Sequence, residues 1–164
     1  MGDATRDAGR VTGLQVSAGG VPKRPVGAAQ VSTGGLEGDR QRNRRFHGGP
    51  TRALCAYSQE RLDALAEEGH PVVRGLLGEN VTIAGLDWSM VRPGIRLRLG
   101  AVIALVTAYA APCQQIAGAF RDGDFTRIGQ KRHPGWSRVY LSILEEGMLR
   151  VGDTAAVLGD ETDK

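Results

Sequence analysis

The thiol of Cys113 is the side chain in this sequence best placed for chemistry. It sits in Tyr109-Ala110-Ala111-Pro112-Cys113-Gln114-Gln115, directly after an apolar, strand-like run from Val102 to Thr107. A strand ending in a Pro-Cys corner puts a thiol where the backbone leaves a sheet, and functional side chains concentrate at such exits. A free cysteine is also among the most buried residue types and often serves as a small hydrophobe. The corner alone is therefore equally consistent with packing. The second cysteine, Cys55, lies inside Ala53-Leu54-Cys55-Ala56-Tyr57 and reads as a packed residue. Two cysteines in 164 residues do not make a disulfide framework. A Cys55–Cys113 bridge would need a Cα separation that sequence does not report.

Charge supplies the second chemical signal. The net charge is +3, and the positive residues are uneven. Arg40, Arg42, Arg44, Arg45 and Arg52 crowd one segment, and Lys131, Arg132 and His133 follow later. A planar guanidinium meets phosphate or carboxylate with two parallel hydrogen bonds, so an arginine cluster suits an anionic ligand. A solvated loop with surplus charge is the plainer alternative. Nucleic acid fits poorly, because only Phe46 is interleaved with the arginines and no nucleic-acid-binding motif is present.

These groups must be held by a fold. A chain of 164 residues with 41% apolar and 24% charged residues has room for one globular core. It carries 24 glycines, which favours many turns and short strands over long helices. The first residues lack the basic region and apolar core of a signal peptide, and no apolar run is long enough for a bilayer. The expectation is a soluble cytoplasmic protein with reduced thiols and no membrane contact.

Along the chain, Val11 to Val16 is a strand candidate, Gly19 to Pro25 a loop, Gly34 to Asp39 a flexible loop and Thr51 to Tyr57 a strand. Ser58 to Glu68 is the clearest helix, with Ser58 as N-cap, Leu62, Leu65 and Ala66 in helical period, and Gly69 to end it. A short helix or turn spans Val72 to Leu77. Ile95, Leu97 and Leu99 alternate with Arg96 and Arg98, so that strand buries one face. Gly100-Ala101 is a two-residue turn into the next strand. Val139, Leu141 and Ile143 alternate with Tyr140 and Ser142, and turns at Glu145-Glu146-Gly147 and Gly152-Asp153 precede a strand from Thr154 to Leu158. Short strands between glycine turns predict a mainly β, mainly antiparallel, barrel-like sheet with a few helices. Residues 1–9 and 159–164 read as polar tails around one domain, 10–158.

Four segments stand in order: Gly38-Asp39-Arg40, His47-Gly48-Gly49-Pro50, Gly78-Glu79-Asn80-Val81-Thr82 and Pro112-Cys113. Gly135-Trp136-Ser137-Arg138-Val139-Tyr140, Gly147 and Gly152-Asp153 follow them. This ordered series resembles the MOSC domain family, named for the C-terminal domain of molybdenum cofactor sulfurase, in its small stand-alone bacterial type. The resemblance implies a pyruvate-kinase-like MOSC β-barrel that handles the molybdenum cofactor (molybdopterin) or carries sulfur. It implies that Cys113 bears a sulfane sulfur as a persulfide, or approaches molybdenum as a thiolate. Asp39, Arg40, His47, Gly48, Gly49, Arg52, Asn80 and Arg138 become candidate cofactor-binding residues. His47 suits a hydrogen bond or proton relay, and Asn80 offers a donor and an acceptor for a pterin edge. Each has a structural alternative: the glycines are conformational, His47 braces a loop, Asn80 caps a turn, Asp39 pairs with Arg40, and Arg138 is a strand-surface residue.

The full-length sulfurases of that family join this domain to a pyridoxal-phosphate desulfurase. This chain has no room for one, and Lys23, Lys131 and Lys164 show no Schiff-base context. The expected partners are thus a cysteine desulfurase or other sulfur donor, and the cofactor or a molybdoenzyme as acceptor. No pyridoxal-phosphate site is expected. Two alternatives remain open. One is a molybdenum-dependent reductase of N-hydroxylated compounds, with a separate electron donor because no flavin or iron–sulfur motif is present. The other is a non-catalytic anion-binding module built on Arg40 to Arg52.

Overall fold

The computed structural model describes residues 8–39 and 50–160. Eleven strands appear in it: β1 (Gly9–Val16), β2 (Arg24–Val26), β3 (Ala28–Ser32), β4 (Gly35–Leu36), β5 (Leu54–Ser58), β6 (Val81–Ala84), β7 (Ile95–Leu99), β8 (Val102–Ala110), β9 (Arg138–Glu145), β10 (Gly147–Arg150) and β11 (Thr154–Asp160). One α-helix, α1 (Gln59–Glu67), and short 3₁₀ turns complete the described chain.

Seven strands close into a barrel in the order β11-β7-β8-β9-β5-β6-β1, with β1 pairing back onto β11 at Gly9↔Ala155 and Arg10↔Thr154. β2 extends the sheet beyond β1, and β10-β3-β4 form a separate small sheet. The barrel is mainly β and mainly antiparallel, as the spacing of strands and turns predicts. The exception is the parallel pair β5–β6, in register at Ala56↔Val81. Parallel neighbours need a crossover rather than a tight turn, and α1 is the helical part of that crossover.

Local rules account for the elements. Ser58 ends β5 and caps α1, its side chain accepting from the Arg61 amide at 3.1 Å. Leu62 and Leu65 face the core, and Gly69 leaves the helix at a positive φ of 97°. Gly100 sits in the β7–β8 hairpin with φ 57°, and Leu99 pairs with Val102. Leu14, Leu54, Ile83, Leu97, Leu99 and Leu141 are fully buried and fill the core.

Several expectations need correction. The strand foreseen from Thr51 begins at Leu54, because Pro50–Arg52 form a 3₁₀ turn that proline's fixed φ favours. The Gly34–Asp39 loop contains strand β4, and the Gly19–Pro25 loop runs into β2 at Arg24. β8 continues past Thr107 to Ala110, so two residues separate its end from Cys113. On β9, Tyr140 packs with Cys55 and Ala110 in a small cluster outside the main core.

Candidate functional site

Strands β5, β8 and β9 lie side by side and carry the site. Cys55 pairs with Tyr140, Tyr140 pairs with Ala108, and Ala110 pairs with Arg138. A cleft beside these residues is lined by Cys113, Cys55, Arg138, Arg52, Lys23, Asn80 and Tyr140, among others. Cys113 is half-buried at the start of a 3₁₀ turn over Gln114–Ala119. Its backbone is extended, and its side chain makes no capping hydrogen bond. The thiol at the Pro-Cys corner thus faces a lined cleft.

Arg138 fixes that corner. Its Nη1 donates to the Leu77 carbonyl at 2.7 Å, and its Nη2 donates to the Ala110 and Ala111 carbonyls at 3.3 Å each. Ala110 and Ala111 lead directly into Pro112-Cys113, so one guanidinium sets the path of the backbone that presents the thiol. Arg138 is buried, which excludes the strand-surface alternative. No carboxylate among the described residues forms an ion pair with it, and its Nε has no acceptor. Among the described residues, its hydrogen bonds go to backbone carbonyls alone.

Asp39 organises a second cation. Its Oδ1 accepts from Lys23 Nζ at 2.6 Å and from the Ser17 amide at 3.0 Å. Both side chains of the pair are buried, at 7% and 2% exposure. A buried pair with extra hydrogen bonds is one in which removal of either member leaves an uncompensated charge. Sequence reasoning passed over Lys23, because only the fold brings it to Asp39 and to the cleft. Arg52 stacks its guanidinium over the Tyr140 ring, 4.9 Å from the centroid.

Asn80 lines the cleft, but its carboxamide is engaged with backbone. The Cys55 amide donates to Oδ1 at 3.0 Å, and Nδ2 donates to the Gln15 carbonyl at 3.2 Å. Asn80 thereby ties β5 to β1 at the edge of the parallel pair. Arg40, His47, Gly48 and Gly49 fall outside the described residues, as do Arg42, Arg44 and Arg45.

The two cysteines are free thiols in different surroundings. Cys55 is buried, and desolvation pushes its pKa up to about 11, against the pull of Arg138. It is a poor nucleophile at neutral pH, in keeping with its packed position. Among the described residues no group of three or more His, Cys, Asp or Glu is arranged to hold a metal ion. None of their helices is long and apolar enough to cross a membrane.

A family model for the MOSC domain matches residues 43–156, more than half of the chain. The chain belongs to the MOSC domain family. This MOSC chain is similar to the uncharacterized protein YflK of Bacillus subtilis, 31% identical over 141 residues that cover 85% of this chain and 63% of that protein. It is similar to protein YiiM of Escherichia coli, 35% identical over 107 residues covering 62% and 48%. It therefore spans less than two thirds of the length of these curated relatives. The MOSC barrel matches the crystal structure of YiiM from Geobacillus stearothermophilus with a TM-score of 0.73, at 24% identity over 92% of this chain and 75% of that one. A crystal structure of a hypothetical protein matches at 0.74, with 27% identity, 94% and 70% coverage.

Proposed function

We propose that this MOSC domain carries sulfur as a persulfide on Cys113 for the assembly of metal–sulfur cofactors. The observation that carries this reading is the half-buried thiol of Cys113, unused in capping, on a cleft that also holds the buried cations Lys23 and Arg138. A persulfide is anionic near neutral pH, and nearby positive charge favours that form against the cost of desolvation.

Loading is a transfer between sulfurs. The Cys113 thiolate attacks the outer sulfur of a donor persulfide, such as that of a cysteine desulfurase. The donor's S–S bond breaks, its cysteine leaves as thiolate, and the outer sulfur remains on Cys113. Delivery to the thiolate of an acceptor protein repeats the exchange: that thiolate takes the outer sulfur, and Cys113 leaves as thiolate. No net oxidation or reduction occurs. Arg138 holds the Ala110 and Ala111 carbonyls and so keeps the thiol oriented through both steps.

The same cleft fits molybdenum cofactor in its donor chemistry. Cys113 supplies one soft ligand of the kind that suits molybdenum. Without a protein ligand cluster among the described residues, the metal would arrive with ligands of its own. Arg138, Arg52 and Lys23 are the cationic groups to hold an anionic cofactor tail. When bound, the group would supply redox chemistry at the metal, which is the basis of the alternative reductase reading.

The test is intact-protein mass spectrometry after incubation with a cysteine desulfurase and cysteine. Wild type is expected to gain one reductant-labile sulfur atom, Cys55→Ser to gain it as well, and Cys113→Ser to gain none. Loading retained in Cys113→Ser overturns the reading. Metal analysis of the freshly purified protein then separates the carrier from the reductase.

A further inference from the structure

Glu79 lies between Gly78 and Asn80, both of which line the cleft, and is itself completely buried. Its Oε2 accepts from the Gly75 amide at 3.1 Å, while its Oε1 has no donor among the described residues. A buried carboxylate with an unused oxygen is costly. Arg138 lies within its electrostatic reach but forms no ion pair with it, and Arg138 Nε is likewise unused. Arg138 lines the cleft and Glu79 lies buried behind its lining residues Gly78 and Asn80, with no hydrogen bond between the two side chains.

The titratable and charged groups facing Glu79 are Arg138 from β9 and Cys55 and Tyr57 from β5. From β1, Gln15 donates its Nε2 to the Glu79 backbone carbonyl at 3.1 Å and carries no charge. Burial raises the Glu79 pKa to about 7, and the backbone amides of Gly75 and Glu79, then Arg138 and the Leu77 amide, hold it back from going higher. The carboxyl therefore stands between its two protonation states at neutral pH.

An anion in the cleft and a carboxylate at Glu79 both draw on the field of Arg138. They repel one another in a low-dielectric wall. We propose that Glu79 is a positioning residue that takes up a proton when an anion occupies the cleft, so that anion capture at this site is coupled to protonation. The ligand class is a small anion: an oxyanion, a phosphate group or an anionic sulfur. The inference rests on the cleft being the anion-binding site of the proposed function, but it does not require sulfur transfer at Cys113.

The probe is sulfate, which does not itself titrate between pH 6 and 8. Binding is measured by calorimetry in buffers of different ionisation enthalpy. Wild type is expected to take up a substantial fraction of a proton at pH 7, and to lose about tenfold in affinity between pH 6 and 8. Glu79→Gln should bind sulfate without that pH dependence and without the proton uptake. Glu79→Asp should restore both. Sulfate binding with no proton uptake, pH dependence that persists in Glu79→Gln, or no sulfate binding at any pH each overturns the proposal. Infrared spectroscopy of the wild type guards against a variant that does not fold. Sulfate at pH 7 should increase the protonated-carboxyl band, and an unchanged band counts against proton uptake. Failure of Cys113 to load sulfur would leave this inference standing, and proton-free sulfate binding would leave the sulfur reading standing.

Discussion

Arg138 donates to the carbonyls of Ala110 and Ala111, the two residues that lead into Pro112 and Cys113. A buried arginine on one strand thereby sets the exit angle of its neighbour. Arg138→Met should remove the guanidinium donors to the Leu77, Ala110 and Ala111 carbonyls, of which Ala110 keeps a longer bond from Ser137 Oγ, and cost about 3 kcal/mol. Sulfur loading of Cys113 should slow by about tenfold or more. Arg138→Lys should recover only part of both, since an ammonium cannot reproduce the fixed fork of a guanidinium. Denaturant midpoints and loading rates measure the two effects separately.

The two thiols should differ sharply toward an alkylating reagent. Cys55 is buried, with a pKa near 11, so at pH 8 only about one molecule in a thousand carries its thiolate. Under native conditions iodoacetamide should label Cys113 and spare Cys55, and both should react in denaturant. Peptide mapping reads the outcome, and native labelling of Cys55 would contradict the described burial.

Lys23 and Asp39 should behave as a unit. Lys23→Met removes the ammonium 2.6 Å from a buried carboxylate and should cost about 3 kcal/mol. Lys23→Met combined with Asp39→Asn removes both charges and should recover much of that loss. A double-mutant cycle on chemical unfolding gives the coupling directly.

Stability should depend on pH through Glu79. Its folded pKa of about 7 lies above the ordinary 4.5, so between these values the folded state holds the proton more tightly than the unfolded chain. Its contribution is largest below pH 4.5, falls as pH rises toward 7 and then levels off, a span of up to about 3 kcal/mol. Glu79→Gln should flatten that part of the profile, and an unchanged slope would assign the dependence to other groups.

Asn80 provides a test of scaffold against ligand reading. Asn80→Ala leaves the Cys55 amide and the Gln15 carbonyl unpaired and should cost about 2 kcal/mol or more. The unfolding midpoint should fall even in the absence of any ligand.

Sequence made the scaffold visible wherever a local rule governs it. The alternation of Ile95, Leu97 and Leu99, the cap at Ser58 and the turn at Gly100 all rest on neighbours within a few residues. Cys113, Arg52, Asn80 and Arg138 are named from the sequence and line the cleft, but what each of them bonds to is not legible there. Lys23 meets Asp39 across 16 residues, and Arg138 reaches Leu77 across 61, so their partners exist only once the barrel has formed. Asn80 reads in sequence as a free amide that can recognise a ligand, because nothing local reveals that Cys55 and Gln15 occupy both of its ends. Tyr140 sits at a strand position that alternation assigns to the outside, and the packing of Cys55 and Ala110 on that face is a tertiary fact.

The pairing of β1 with β11 gives the barrel a seam between its earliest and latest strands. A nascent chain on the ribosome cannot complete the circle until the last strand has emerged. Until then β7 and the Gly9–Arg10 end of β1 present open edges, and pairing over so great a sequence separation is slow. The molecule is therefore most exposed to mispairing during synthesis, before its last strand closes the seam.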